Sequence, residues 1–414
     1  MHVVIFEGNQ WPTFAPVSLN RPVFMLSSGM STLFEKQVRH FGPTRLTLWV
    51  RPDLVESCTK RLLPSMTIPT AINEPLGDEP AMLVSGRTLQ LRHFRPPKEV
   101  GTVLTAEDRL VRQAYVKMPG LSHEDVLAKT DRLQAIQDLP AREEPQSPLV
   151  ESLSDLISSN EESLIEDYTQ LHGEPRPLPK APGLHTVGDQ KDIWVGERAK
   201  LEPGVVLDAS KGPIVLADDV VVGANSVLYG PCYLARHAKV RPLTIIKGGT
   251  TIGRLSKVGG EIENSIIMGH SNKGHDGFLG HSYLGKWVNF GAGTVTSNLK
   301  NTYGQVSIQR GSTQIPTGRQ FFGSLVGDHV KTAIGTRLMT GSYLGFSSMV
   351  ATSSYCPRFV PSFTFLTDAG AEPYRPDKAA KVMKAAYARR DLKWTESDDH
   401  MLASVQRVAP QVEK

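Results

Sequence analysis

The sequence predicts an α/β domain followed by a left-handed parallel β-helix of hexapeptide repeats and a terminal α-helix. Three observations lead there. Apolar strand-like runs alternate with a helix-like stretch near the start of the chain, aliphatic residues recur every six positions from about Asp192, and an alanine-rich stretch closes the sequence.

At 414 residues the chain is too long for one ordinary core, so two domains, or a domain and a repeat array, are expected. The formal charge of +4 is small for this length, and no lysine-rich or arginine-rich run marks a nucleic-acid binder. The three cysteines, Cys58, Cys232 and Cys356, lie far apart. Their spacing fits buried reduced thiols in a cytoplasmic protein better than a zinc cluster or a disulfide framework. The opening MHVVIFEGNQWP reads as a first strand and not as a signal peptide. No apolar run is long enough to span a bilayer.

Within residues 1–137, the segments Val3–Phe6, Arg45–Val50 and Ala81–Ser85 read as strands. Met30–Phe41 has apolar residues at helical spacing, with Ser31 or Thr32 as its cap. This alternation predicts an α/β domain with a mainly parallel sheet. Residues 138–190 read as a linker region. Asp138–Pro148 and Gly173–Gly183 are proline-rich, and between them Leu153, Leu156, Ile157, Leu164, Ile165 and Tyr168 make Val150–Tyr168 an amphipathic helix.

Residues 191–365 carry the six-residue beat. Val195, Leu201 and Leu207 are followed, after a short insertion, by Leu216, Val222, Leu228, Leu234, Val240, Ile246, Ile252 and Val258. Helices repeat near 3.6 and strands near 2, so a period of six marks a solenoid with one short strand per hexad and three hexads per coil. The pattern breaks at Glu261–Gly277, which predicts a projecting loop, and resumes at Leu279, Leu284 and Phe290. A weaker return runs through Ile334, Thr340 and Phe346. In the tail, residues 366–414, the stretch Asp377–Asp391 is a strong helix former placed to cap the open end of the solenoid.

The chemistry concentrates at the break. His275 stands between Gly274 and the Asp276–Gly277 pair, and an imidazole is the usual general base near neutral pH. Arg241, Lys247, Lys273 and Lys300 are basic residues suited to a phosphate, and Asn289 and Asn298 are suited to a sugar or an amine.

The stretch GHDGFLGHSYLGKWVNFGAGTVTSN resembles the acetyltransferase domain of the bifunctional UDP-N-acetylglucosamine pyrophosphorylase/glucosamine-1-phosphate N-acetyltransferase family. The whole chain is most similar to a divergent branch of that family, the sugar nucleotidyltransferases. The family's Gly-His, Asn-Ile-Gly-Ala-Gly-Thr and Cys-Asn elements fall on His275, Asn289 and Asn298, and its arginine before proline falls on Arg241. The resemblance implies acetyl transfer from acetyl-CoA to the amine of glucosamine 1-phosphate. His275 is then the base, Asn289 positions the sugar, and Arg241, with Lys247, holds the phosphate. It also implies a homotrimer. Three positions depart from the family: its tyrosine after the histidine is Phe278, a lysine pair falls on Glu263–Asn264, and the tyrosine after the second asparagine is Leu299.

In the N-terminal part the family's glycine-rich phosphate loop is replaced by SLNRPVFMLSSGMSTLFEK, Ser18–Lys36. Arg21 and Lys36 become the candidate nucleotide-phosphate contacts and Gly29 the close-approach glycine. Magnesium is implied for this half, but Gly86–Arg87 follows the strand AMLVS where an aspartate is expected. Asp78 and Asp108 are the remaining candidates. Two other readings stay open. One is a zinc hydrolyase using His270 and His275 with His237 as a distant third ligand. The other is a non-catalytic trimeric scaffold that binds sugar nucleotides.

Overall fold

The computed structural model describes residues 1–89, 99–105, 111–127, 141–143, 149–171 and 178–414. The expected magnesium candidate Asp108 lies outside them, as does most of the expected proline-rich linker sequence. The chain divides into two compact units. The first holds Met1–Leu26, Ser31–Ser152 and Trp394–Arg407, and the second holds Ser27–Met30, Leu153–Lys393 and Val408–Lys414.

The first unit is built on a seven-stranded sheet. Its strands are β1 (His2–Phe6), β2 (Arg45–Trp49), β3 (Thr70–Ile72), β4 (Ala81–Ser85), β5 (Thr102–Thr105), β6 (Val111–Val116) and β7 (Ala141–Glu143). Their order is β3-β2-β1-β4-β6-β5-β7. The centre is parallel, with Phe6 opposite both Trp49 and Ser85, and β6 runs antiparallel to β4 and β5. Val3 and Ile5 face one apolar cluster with Phe24, Phe34 and Leu48, whereas Val4 and Phe6 face another with Trp49 and Leu83. A strand covered on both faces has no polar side to alternate with, which is why β1 reads as a continuous apolar run.

Helix α1 spans Leu33–Phe41. It starts later than the sequence pattern suggests because Thr32 closes a capping box: its hydroxyl accepts the Glu35 N–H at 3.2 Å, and the Glu35 carboxylate accepts the Thr32 N–H at 2.7 Å. Gly42, at φ 52°, ends the helix in the left-handed region.

The second unit opens with two short helices, α2 (Leu153–Ser158) and α3 (Asn160–Leu171), where one amphipathic helix is expected. Leu153, Leu156, Ile157 and Leu164 are buried as predicted, but Ile165 is 40% exposed. The remainder is a parallel β-helix. Inward residues stack into one cluster containing every member of the six-residue series from Val195 to Val258. On one face Leu207, Leu228, Ile246, Ile262 and Leu279 follow one another rung by rung.

Three expectations about this array need correction. Glu261–Gly277 does not project. It supplies strands Glu261–Glu263, Ile266–Ile267 and Asn272–Lys273, each in parallel register with the coil before it. The beat is lost because the corners shorten, with Gly260 at φ 79° making the tight turn, and because Lys273 takes an inward position. The true excursion follows Asn298. It carries an antiparallel hairpin, Ser307–Arg310 against Thr313–Pro316, while Tyr283–Leu284 pairs directly with Leu325–Val326. After it the inward residues are Leu338 and Leu344; Ile334 is a corner residue, 78% exposed.

The coils continue past the expected end at residue 365, to a closing hairpin of Thr364–Thr367 and Gly370–Pro373. Helix α4 (Pro376–Ala388) then lies along the flank of the solenoid and not over its end. Its Tyr387 ring stacks on Trp287, with centroids 4.6 Å apart, and Arg390 just beyond it donates to Asn272 Oδ1 at 3.2 Å. The last helix, α5, spans Glu396–Val412. All three cysteines are free and buried. Among the described residues no helix is long and apolar enough to cross a membrane.

Candidate active site

The solenoid places Arg241 and His275 at the same corner. Arg241 follows the inward Val240 and gives its N–H to Val258 on the next coil. Gly259 follows Val258 and gives its N–H to Lys273, the residue that leads into Gly274 and His275. A Cβ on Gly259 would stand 3.3 Å from the His275 nitrogen, so glycine lets the two coils close on each other here. His275 is exposed. Asn289 sits one rung beyond Asn272 on the face that runs into this corner. Its Oδ1 accepts from Asn272 Nδ2 at 3.2 Å, and Asn272 in turn accepts from Arg390.

Asn298 belongs to the next corner. Its amide Nδ2 lies 2.9 Å from His281 Nδ1. Burial pushes the His281 imidazole down, against a smaller upward pull from Glu263, so the neutral ring is the form that can accept from the Asn298 amide. Phe278 connects the two corners: a Cβ on Gly280 would meet both the Phe278 ring, at 2.4 Å, and Asn298 Nδ2, at 2.7 Å. The phenyl ring therefore packs over Gly280, beside the Asn298 amide. His281 stacks on Phe321 with centroids 5.5 Å apart. It lines an open cleft of about 280 Å³ with Asn264, Arg319 and Phe322. The sequence shows His281 in the same glycine-rich stretch as His275, but only the fold reveals its partner.

The remaining cations of the expected site are committed elsewhere. Lys247 pairs with Glu261 at 2.6 Å and Glu263 at 3.7 Å. The Lys273 ammonium is buried and donates to the carbonyls of Gly259, His275 and Asp276 at 2.9, 2.8 and 3.0 Å. Burial pushes it down to about 8. It fixes the backbone that carries His275 and is not presented to a ligand. Lys300 donates to the Gln305 carbonyl inside the excursion.

The zinc arrangement does not assemble. His270 stacks face to face on Trp287 at 4.3 Å, and burial with nearby Arg254 pushes it down to about 4. His237 lies 3.7 Å from Asp219, near Arg236, which also pairs with that carboxylate. Among the described residues no group of three or more His, Cys, Asp or Glu side chains is placed to hold a metal ion.

In the first unit Arg21 and Lys36 are both buried, at 8% and 3% exposure. The loop before them is pinned by a pair the sequence does not announce. Glu7, directly after β1, accepts from Arg51 at 2.8 Å and from the Val23 N–H at 3.0 Å. Arg51 also donates to the Ser18 carbonyl at 2.7 Å and lies over the Trp11 ring. Burial raises the Glu7 carboxyl, and the Arg51 guanidinium beside it pulls it back down. For magnesium, the position after β4 is filled by Gly86 and a buried Arg87 that donates to the Val150 carbonyl. Asp78 is in an exposed turn. The described residues do not fit a magnesium ion there.

Gly29 is corrected as a phosphate-loop glycine. Within the second unit its N–H donates to Asn160 Oδ1 at 2.7 Å and its carbonyl accepts from Thr251 at 2.8 Å. At φ 64°, a Cβ there would sit 2.6 Å from Asp167 Oδ2 and 2.7 Å from the Ser163 carbonyl oxygen. Its close approach is to α3. Gly29→Ala is expected to cost about 2 kcal/mol or more and to lower the melting temperature by several degrees in a circular-dichroism melt. An unchanged midpoint would contradict this packing.

Comparison with known proteins agrees in outline. Residues 3–174 match the sequence profile of the sugar nucleotidyl transferase family. The chain is 32% identical over 129 residues to the bifunctional protein GlmU of Methanococcus vannielii, covering 31% of this chain and 30% of that one. It is 28% identical over 137 residues to the bifunctional sugar-1-phosphate nucleotidylyltransferase/acetyltransferase of Sulfurisphaera tokodaii, covering 33% and 34%. The GlmU of Synechococcus elongatus is 24% identical over 196 residues, covering 42% and 40%. The chain thus spans about a third of the length of the first of these curated relatives. Residues 3–174 are thus similar to the sugar nucleotidyl transferases, and about a third of the chain is similar to bifunctional sugar-1-phosphate nucleotidylyltransferase/acetyltransferases.

Proposed function

We propose that the second unit transfers an acetyl group from acetyl-CoA to the amine of an amino-sugar 1-phosphate resembling glucosamine 1-phosphate. The observation that carries this reading is the shared corner of Arg241 and His275, with Asn289 on the face leading into it. A cation, a base and an amide are what a phosphorylated amine needs. The amine must be neutral to attack the thioester carbonyl. His275 takes its proton as the new carbon–nitrogen bond forms, and when the carbon–sulfur bond breaks the His275 imidazolium gives that proton to the departing sulfur, releasing the CoA thiol. Asn289 positions the sugar, and Asn298 addresses the acceptor from the next corner. Phe278 in place of a hydroxyl-bearing ring makes the acceptor pocket less polar than the family pattern implies.

The first unit is proposed to bind a nucleotide, and the chain to work as a homotrimer in the cytoplasm; Arg21 and Lys36, both buried, are not presented to its phosphates. The test of the acetyl-transfer reading follows free thiol from acetyl-CoA with glucosamine 1-phosphate and with galactosamine 1-phosphate. Thiol release with one of them is expected. Release with neither would overturn the reading.

A further inference from the structure

The expected phosphate contacts around Arg241 are depleted. Lys247 is neutralised by two glutamates and Lys273 is spent on backbone carbonyls. The family's lysine pair is Glu263–Asn264 in this chain. A phosphorylated ligand at this corner needs other cations, and the outer face of the solenoid supplies them.

Lys239 and Lys257 are register partners on adjacent coils, both pointing outward, and Asn272 is the next rung. Adjacent rungs are about 4.8 Å apart, so the two ammonium groups share one patch of surface. Arg241 is two residues beyond Lys239, and Arg390 reaches the same ladder through its hydrogen bond to Asn272. Arg389 adds a further charge. Burial and then Arg390, Lys239, Arg389 and Arg241, in that order, push the Lys257 ammonium down. Like charges on neighbouring strands repel. Among the described residues no carboxylate forms an ion pair with Lys239, Arg241, Lys257 or Arg389. This contrasts with the opposite pairing that Lys247 receives.

We infer that Lys239, Arg241, Lys257 and Arg390 form the clamp for a phosphate monoester dianion, beside Asn272 and Asn289. The inference rests on the acetyl-transfer reading only for the identity of the ligand. The phosphate comes either from the amino-sugar 1-phosphate or from the 3′-phosphate of CoA. An anion here compensates the mutual repulsion of the four cations, and Arg390 couples the clamp to Asn289 through Asn272. The cations that hold the ligand thus come partly from the segment following α4, outside the hexapeptide coils.

The test uses isothermal titration calorimetry on the full chain with glucosamine 1-phosphate, CoA and 3′-dephospho-CoA. Lys257→Gln and Lys239→Gln change exposed rungs, so both variants are expected to remain folded. Each is expected to weaken the phosphate-bearing ligand at least about tenfold, the loss of one charged contact. If glucosamine 1-phosphate is weakened and CoA is not, the clamp holds the sugar phosphate. If CoA is weakened while 3′-dephospho-CoA is not, it holds the 3′-phosphate. Native affinities in the double variant, or no binding of either ligand to the native chain, would overturn the clamp. Lys257-dependent binding without thiol release would sink the acetyl-transfer reading alone. Thiol release with Lys257-independent binding would sink the clamp alone.

Discussion

Leu228→Asp is expected to unfold the solenoid. Leu228 is fully buried, between Leu207 on the coil before it and Ile246 on the coil after it. Nothing in that column can accept a carboxylate. An unpaired buried charge costs roughly 5 kcal/mol or more, comparable with the whole net stability of a typical domain. Leu243→Asp is the matched control, since Leu243 sits on a corner and is 74% exposed. The expected outcome is an aggregated or unfolded Leu228→Asp protein and a normally melting Leu243→Asp protein, read by circular dichroism and gel filtration. A folded Leu228→Asp variant would contradict the stacking.

The second large effect is on turnover. His275→Ala removes the proposed base from an exposed corner, so the fold is expected to persist. General-base catalysis contributes about a hundredfold to ten-thousandfold, and thiol release should fall by that order. The control is the unchanged melting curve of the variant. Turnover equal to that of the native chain would remove His275 from the mechanism.

Much of this architecture can be read from residues alone. The six-residue beat from Val195 to Val258 needs no structure to interpret, because each aliphatic residue reports one inward position. The three predicted strands of the first unit are equally plain, since parallel strands covered on both faces carry mostly apolar residues. What escapes the pattern has physical causes. Shortened corners change the period without changing the fold, and a buried lysine at an inward position looks like a break. Lys273 is therefore read as a ligand contact when it is a clasp for carbonyls. The Glu7–Arg51 pair and the Asn298–His281 pair join residues whose proximity no local spacing encodes. Trp287 reveals its role only when Tyr387 is found against it.

The excursion after Asn298 has a geometric peculiarity. The Asn298 carbonyl accepts the Phe322 N–H at 2.8 Å, and Leu299 is bridged to Phe321. The segment therefore leaves the coil and returns to it through a single closed neck. Its hairpin pairs with itself, and the rungs on either side bond as though it were absent. Loop-closure entropy grows only with the logarithm of length, so behind such a neck the length of the enclosed stretch can vary at small entropic cost. Because the His281 cleft takes Arg319 and Phe321 from the neck's returning arm, its walls can be recast while the stacked column keeps its register. The solenoid behaves here as a chassis, and the excursion as a cartridge seated in it.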